Sequence, residues 1–263
     1  EDIRVERKAI YRFHARLAAR FQVGSVFLAG DAAHVTPPFA GQGLVSGLRD
    51  VANLGWKLKA VLRGELPDSV LTSYTQERKP HAGKMIRLAQ FLGELIMPSS
   101  KFRATLVHGL AKLVGGLPIV HKVFTDMKVK PQNTFAEGLF VRGQPKTRFA
   151  AGSHLPQWWL QSKRGERERS DKVFGDRFLC AGIDCNPSAL LSDEFRRRWQ
   201  VLGGEFLCLS TSPNALERNG VWFLDGKDLP KSQEILFLRP DRLLMASCNS
   251  KTLAKVMKKT VQL

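Results

Sequence analysis

The sequence lacks any run of about 18 apolar residues, the length that an α-helix needs to cross a bilayer. Its opening residues, Glu1-Asp2-Ile3-Arg4, resemble neither a secretory signal nor a transit peptide. We therefore expect a soluble, cytoplasmic protein with no membrane partner.

Cysteine is scarce, and the four thiols at Cys180, Cys185, Cys208 and Cys248 include no C-x-x-C pair. No histidines stand at metal-ligand spacing beside them. This arrangement argues against a disulfide framework or a metal centre. Buried thiols that pack as small hydrophobic groups are the expected state.

Acidic residues are few relative to basic ones. The chain has 24 Asp and Glu and 41 Lys and Arg, which gives a formal net charge of +17. Such an excess attracts phosphate-bearing partners, so a basic module that binds nucleic acid or an anionic surface is one alternative. The simpler interpretation is a solvated basic surface, or a segment whose acidic counterpart is absent. We expect no nucleic-acid partner.

The first half of the chain predicts two strands and a long helix. Alternating apolar residues over Ala9–Leu17 favour a half-buried strand, although the end of this segment could also be helical. The apolar run Ser25–Ala29 predicts a strand buried on both faces. Apolar spacing from Gly43 to Arg63 predicts a helix that Gly64 terminates.

Further helical spacing follows. Asp68 is predicted to cap a second helix that Pro80 kinks or splits and that Pro98 ends. A third amphipathic segment covers Phe102–Leu113.

The chain becomes irregular between Lys128 and Gly152, which predicts a domain boundary and two domains, residues 1–130 and 131–263. The charged stretch Lys163–Lys172 is predicted to be a solvated loop. Beyond it, short apolar runs predict strands that alternate with two helices, namely strands at 178–180, 206–209, 235–238 and 243–246 and helices at 192–201 and 251–259. The fold class predicted for the whole chain is mixed α/β.

One segment carries the functional signal, and it begins where the predicted strand Ser25–Ala29 reaches Gly30 and Asp31. A carboxylate at the end of a buried strand can accept hydrogen bonds from sugar hydroxyls, while glycine allows close backbone approach. Asp31 would serve a polyol in this way. The alternative is that Asp31 only caps the following turn.

The same segment continues into the start of the long helix, at Gly41, Gln42, Gly43 and Leu44. The free N–H groups and the positive end of a helix favour an anion, such as the pyrimidine edge of a reduced flavin. Before it, Pro37-Pro38 would give a rigid apolar surface against a ring system. Taken separately, a Pro-Pro pair and a Gly-x-Gly are common in ordinary loops.

Together these residues form the run VFLAGDAAHVTPPFAGQGLVSGLRDVANLGWKL, which resembles the second FAD motif of the flavoprotein aromatic hydroxylases. The resemblance continues through Tyr74–His81. It is closest to the branch of 3-(3-hydroxyphenyl)propionate and phenol-hydroxylase-like enzymes, which carry a thioredoxin-like extension. Gly175–Phe178 and Leu238–Arg242 resemble that extension more loosely.

The resemblance implies that Gly30 and Asp31 bind the ribityl chain of FAD and that Pro37 and Pro38 border the isoalloxazine. It also implies that Gly41 to Leu44 contact the pyrimidine edge of the flavin. The implied reaction inserts one oxygen atom from O2 into a phenolic substrate, with NADH or NADPH as reductant. No catalytic side chain is assigned, since the cofactor carries the difficult chemistry. His34 is interpreted as a loop anchor.

The chain departs from the family pattern in three ways. Val45 replaces the asparagine of Gly-Gln-Gly-x-Asn, which removes an amide near the flavin. The Gly-x-Gly-x-x-Gly that grips the FAD pyrophosphate is absent, as is the central Asp-Gly motif. We therefore expect a C-terminal half that needs its missing N-terminal half or a homo-oligomer partner. The family is one of oxidoreductases, but we expect this chain alone to be inactive.

Overall fold

A computed structural model of the chain describes residues 6–98, 100–106, 109, 133–141, 147–214, 220–225 and 233–260. The chain divides into two compact units. The first unit comprises Glu1–Val51 and Arg78–Gln132, and the second comprises Ala52–Glu77 and Asn133–Leu263. The helices and the mixed sheet confirm the predicted α/β class. No helix in the described ranges is long and apolar enough to span a membrane.

The first unit has only short strands. β1 (Arg16–Leu17) pairs antiparallel with β4 (His34–Val35). β2 (Gln22–Val23) pairs antiparallel with β3 (Val26–Phe27). Gly24 lies in the tight turn between these strands and has φ +55°. These ladders position the loop that leads into the first long helix.

Both strand predictions for this unit are wrong in extent. Residues 6–15 are irregular and exposed, and only Arg16–Leu17 of the segment Ala9–Leu17 is a strand. Of Ser25–Ala29 only Val26 and Phe27 are in a strand, and Val26 is 67% exposed rather than buried on both faces. In the part of the chain that the structure describes, each strand has one two-residue partner, which is too little cover to bury it.

The first helix, α1 (Gly43–Leu62), confirms the prediction from spacing. Gly64 has φ +69° and its N–H donates to the carbonyl of Val61, so it closes the helix in the left-handed conformation.

The buried face of α1 was not predicted. Its apolar residues Leu44, Leu48 and Val51 are exposed, whereas its buried positions follow helical spacing but carry polar side chains: Ser46, Asp50, Asn53 and Lys57. Leu54 and Ala60 are apolar positions of α1 that are buried. The helix is therefore fixed largely by hydrogen bonds rather than by an apolar stripe.

The second helix, α2 (Thr72–Ile96), continues through Pro80, so of the two predicted outcomes, a kink or a split, the split does not occur. A proline removes one N–H donor from the helical ladder, and the remaining bonds keep this helix intact. Asp68 is not the cap of α2, because it opens a separate 3₁₀ turn, Asp68–Leu71. Of the predicted helix Phe102–Leu113, residues 102–106 are helical and 107, 108 and 110–113 lie outside the described residues.

The second unit is built on a seven-stranded mixed sheet in the order β11-β10-β7-β8-β9-β5-β6. β7, β8 and β9 are mutually parallel, and the other neighbours pair antiparallel. The strands are β5 (Trp159–Gln161), β6 (Arg167–Arg169), β7 (Leu179–Ile183), β8 (Glu205–Ser210), β9 (Val221–Asp225), β10 (Glu234–Leu238) and β11 (Leu244–Cys248). The helices are α3 (Ser170–Phe174), α4 (Pro187–Leu190), α5 (Asp193–Val201) and α6 (Leu253–Thr260).

The four predicted strands of this unit are confirmed as β7, β8, β10 and β11, and the two predicted helices as α5 and α6. Every residue of β7, β10 and β11 is buried, as continuous apolar runs require. The loop predicted at Lys163–Lys172 is wrong, because it contains β6 and the start of α3. Its Arg-Glu-Arg pattern forms an edge strand that pairs with β5.

The four cysteines are free thiols of the second unit. Burial raises the pKa of Cys185 to about 11 and that of Cys248 to about 12. Both thiols therefore stay protonated and weakly nucleophilic at neutral pH.

A buried charged cluster around Glu77 lies within the second unit. Arg239 holds this carboxylate through two nitrogens, Nη1 to Oε1 at 2.7 Å and Nη2 to Oε2 at 2.9 Å. Lys57 Nζ lies 3.0 Å from Oε2, and Asn53 Nδ2 donates to the same oxygen at 2.6 Å. Burial by itself raises the pKa of Glu77, but Arg239 and Lys57 outweigh it and lower the pKa to about 2. Glu77 is thus ionised and fully paired.

We predict that Glu77→Gln destabilises the chain by about 3–5 kcal/mol, because it leaves two buried cations short of an anion. The matched control is Glu205→Gln, which removes an exposed carboxylate 3.0 Å from Arg177 and should cost no more than about 1 kcal/mol. Urea denaturation measures both. Equal losses in the two variants would contradict the role given to Glu77.

The stability that Glu77 provides also has a predicted pH dependence. Because its folded pKa lies below the ordinary value of 4.5, at about 2, its contribution is complete above pH 4.5. That contribution is lost as the pH falls from 4.5 towards 2. The acid loss of stability in this window, followed by urea midpoints, should be smaller in Glu77→Gln than in the parent chain.

Candidate functional site

The loop between β3 and α1 is fixed to the helix at a glycine pair. Gly30 has φ +58° and opens a 3₁₀ turn, Gly30–Ala32. A Cβ on Gly47 of α1 would lie 3.3 Å from the Gly30 Cα, so the two backbones are in close contact. The loop approaches this closely because both residues are glycine.

Asp50 of α1 connects three parts of the first unit. Its Oδ2 accepts the Gly30 N–H at 2.9 Å and lies 2.6 Å from His34 Nε2, while its Oδ1 accepts Arg78 Nε at 2.7 Å. Burial by itself raises the pKa of Asp50, but His34, Arg78 and the Gly30 N–H together bring it below its usual range. The carboxylate is therefore ionised, and it joins the loop to both long helices.

His34 has the geometry of the predicted loop anchor, since it is 2% exposed and its ring bonds to Asp50. A second buried histidine, His81, lies with its Nδ1 3.4 Å from Arg78 Nη1. Burial, followed by the charges of Arg78 and Arg49, lowers the pKa of His81 to about 3. His81 is thus a neutral ring beside a guanidinium at physiological pH.

The predicted ribityl ligand, Asp31, lies at the surface of this anchored loop. Its side chain makes no hydrogen bond or ion pair with any described residue. Asp31 is accordingly available to a ligand, while Asp50 provides the structural bonds.

The predicted proline pair begins a second turn. Pro37 is buried and precedes the 3₁₀ turn Pro38–Ala40, in which Pro38 is exposed. The Phe39 ring packs so closely on α2 that a Cβ on Gly93 would lie 2.6 Å from it. Gly41 closes the turn with φ +59° and donates its N–H to Pro38 at 2.9 Å. The turn is therefore held by packing at one side and by a left-handed glycine at its end.

The start of α1 offers unpaired donors at the predicted pyrimidine-edge position. The first N–H of this turn with an acceptor is that of Ser46, which donates to Gln42 at 2.9 Å. The N–H groups of Gly43, Leu44 and Val45 have no acceptor in the described part of the chain. Gln42 Oε1 is also buried without a partner there. These orphan groups, with Leu44 78% exposed beside them, fit a polar ring edge seated on the helix terminus.

The structure thus brings Gly30 against α1, while Gly43 and Leu44 begin that helix and Gly41 and Gln42 lie directly before it. Sequence reasoning missed Asp50 and Arg78, which hold the arrangement together. The available signal was the helical spacing of polar residues at 46, 50, 53 and 57.

The fold is similar to that of solved flavin-dependent hydroxylases. Residues 2–89 match the FAD binding domain family, and residues 152–263 match the HcaD C-terminal domain family. The flavin-dependent monooxygenase PieE, solved with FAD and substrate, superimposes with a TM-score of 0.70 at 20% identity, over 96% of this chain and 49% of PieE. Aklavinone-11 hydroxylase, solved with FAD and aklavinone, gives 0.65 at 21% identity, over 96% of this chain and 46% of the enzyme.

Sequence relatives narrow the class. The chain is 38% identical over 207 residues to 3-(3-hydroxy-phenyl)propionate/3-hydroxycinnamic acid hydroxylase 2 of Burkholderia vietnamiensis, covering 79% of the chain and 38% of the relative. It is 32% identical over 275 residues to the 3-(3-hydroxy-phenyl)propionate/3-hydroxycinnamic acid hydroxylase of Escherichia coli, and the match covers 98% of the chain and 49% of that relative. The predicted relation to the FAD-dependent aromatic hydroxylases is confirmed. The chain spans half or less of the length of these relatives.

We predict that Asp50→Asn lowers the free energy of unfolding by about 3–5 kcal/mol, because it leaves Arg78 buried without its anion. The control is Asp31→Asn in the same loop, which should leave stability unchanged, because Asp31 is exposed and bonds to no described residue. Urea denaturation followed by tryptophan fluorescence compares the two. A larger loss in Asp31→Asn than in Asp50→Asn would contradict the anchoring role.

Proposed function

We propose that this chain is the flavin-ribityl and C-terminal part of an FAD-dependent aromatic hydroxylase. The complete protein would insert one atom of O2 into a phenolic ring, with NADH or NADPH as reductant. The observation that carries the proposal is the loop in which Asp50 fixes Gly30 to α1 while Asp31 stays free at the surface. The +17 charge remains the cue for a basic binding module, but the relation to hydroxylases does not favour it.

In this proposal Asp31 accepts hydrogen bonds from the ribityl hydroxyls, and Gly30 allows the close approach of the chain. Gly41 to Leu44 contact the pyrimidine edge, which the unpaired N–H groups of Gly43 and Leu44 at the start of α1 hold. Pro37 and Pro38 border the isoalloxazine. FAD supplies the redox chemistry when bound, and the residues named here bind and orient it.

The first unit supports the proposal that a further part of the protein covers it. Most of the large hydrophobic side chains that are exposed in the described ranges belong to this unit. Ile10 is 98% exposed, Val26 67%, Leu48 60% and Val51 62%. A soluble surface rarely leaves so many large apolar groups in water without a partner. We propose that the N-terminal nucleotide-binding half of the hydroxylase packs on them.

We also propose the domain division predicted from the sequence, with an FAD-binding part over residues 1–130 and a thioredoxin-like domain over 131–263. The second domain would have no thiol chemistry, because burial holds the pKa of its cysteines above their usual range. A cytoplasmic location stays a prediction of the proposal.

The test of the flavin site uses this chain alone and a chimera in which the N-terminal half of the Escherichia coli relative precedes it. We predict that the chain alone binds FAD weakly or not at all and that the chimera retains flavin through gel filtration. In the chimera, Asp31→Ala should weaken FAD binding about tenfold to a hundredfold, the cost of losing hydrogen bonds to a charged group. Quenching of flavin fluorescence measures the affinity.

The matched control is Asp68→Ala, which removes an exposed carboxylate from the 3₁₀ turn Asp68–Leu71. It should leave FAD affinity unchanged. Flavin that stays on the chain alone through gel filtration would contradict the proposed division of the site. Equal affinities of the Asp31→Ala and parent chimeras would contradict the role of Asp31.

The proposal that the N-terminal half packs on the exposed apolar residues of the first unit can be tested at Leu48. In the chain alone, Leu48→Glu should reduce self-association, because it puts a charge on an apolar surface that water already contacts. In the chimera the same substitution should lower the thermal midpoint, because the glutamate would be buried. Leu62→Glu, 85% exposed at the other end of α1, is the control and should be tolerated in both. Analytical ultracentrifugation measures self-association, and thermal unfolding measures the midpoint. An unchanged midpoint for Leu48→Glu in the chimera would contradict the proposal that the N-terminal half packs on this surface.

A further inference from the structure

The second unit contains a cavity of about 530 Å³ that the proposed flavin site does not use. Its walls are mainly aromatic and aliphatic, with Trp56, Phe178, Phe195 and Trp199 as the largest side chains. Ligand pockets for small molecules have this size and this largely apolar lining. The cavity is therefore suited to a compact apolar body.

The aromatic walls are fixed by contacts with one another. The Phe178 ring meets Trp56 edge-on at 5.4 Å between centroids and Trp199 at 5.6 Å. Phe195 and Trp199 are nearly parallel, 18° apart, at 5.8 Å. The Trp199 indole N–H donates to the Glu205 carbonyl at 3.2 Å, which fixes the orientation of that ring. A flat ligand would meet preorganised ring faces and edges.

The charges that line this cavity are all positive. Arg239 is neutralised by Glu77 and Asp241, and Arg198 lies 2.8 Å from Glu194. Arg197 is exposed and has no hydrogen bond or ion pair with any described residue. Among the residues that the structure describes, no carboxylate lines the cavity. Arg197 acts electrostatically on the Asp193 carboxylate one helical turn before it but forms no direct ion pair there, so its guanidinium stands at an apolar pocket, where it favours an anion.

We propose that this cavity is a second ligand site, which binds an aromatic acid with its ring among the aromatic walls and its carboxylate at Arg197. The site belongs to the second unit alone and requires no FAD. It does not depend on the proposed hydroxylase function.

The test uses the full 263-residue chain and two probes of the same shape, 2-naphthoate and the neutral 2-naphthalenemethanol. Isothermal titration should show saturable binding of 2-naphthoate and at least tenfold weaker binding of the alcohol, since the alcohol lacks the charge that Arg197 recognises. Arg197→Glu should weaken 2-naphthoate binding tenfold or more and leave the alcohol unaffected. Arg164→Glu makes the same charge change at an exposed residue away from the cavity and should alter neither.

A second pair of variants tests the location. Val201 lines the cavity and is 77% exposed, so Val201→Trp should fold and fill the opening. Leu190→Trp adds the same ring at a residue 44% exposed and outside the cavity. We expect Val201→Trp to abolish binding of both probes and Leu190→Trp to retain it, with equal thermal midpoints confirming the fold. Absence of 2-naphthoate binding, binding that Val201→Trp leaves intact, or equal affinity for the two probes would each overturn the proposal.

Discussion

The first unit depends on one buried carboxylate. Asp50 accepts the Gly30 N–H and bonds to His34 and Arg78, so a loop, a short strand and both long helices meet at two oxygens. Burying an ion costs several kcal/mol unless it is fully paired, which makes the set of partners interdependent. The consequence for function is that Asp50 sets the position of the neighbouring Asp31 without any need to touch a cofactor.

The second unit also contains a buried carboxylate that is paired with cations. Glu77 binds Arg239, Lys57 and Asn53 in a fully buried cluster, and Arg239 also holds Asp241. In both units, burial favours the neutral carboxyl group, and paired cations reverse that preference. A helix fixed on its polar side can leave apolar side chains facing outward, as Leu44 and Leu48 do. This inversion of the usual amphipathic pattern is the physical reason to expect a covering partner.

The sequence predicted those elements whose pattern is visible in their own residues. β7 and β10 are buried throughout, so their apolar runs identify them, and α1 follows its spacing. β6 could not be predicted, because an Arg-Glu-Arg edge strand depends on pairing with β5. The buried polar positions of α1 depend on partners that lie far along the chain, 28 residues for Asp50 with Arg78 and 20 for Lys57 with Glu77. Spacing alone cannot tell such a stripe from a solvated face.

The candidate flavin site combines two kinds of recognition that respond differently to sequence change. At the start of α1 the proposed contacts are backbone N–H groups, which exist whatever side chain stands there. Val45, which stands where the resemblance to the hydroxylase motif places an asparagine, therefore leaves the donors of the helix terminus in place. At Asp31 the side chain itself is the proposed ligand, and its geometry depends on the preceding Gly30, which has φ +58° and is held by Asp50. Under the proposed function, a change at Asp31 should therefore weaken flavin recognition more than a change of the Val45 side chain.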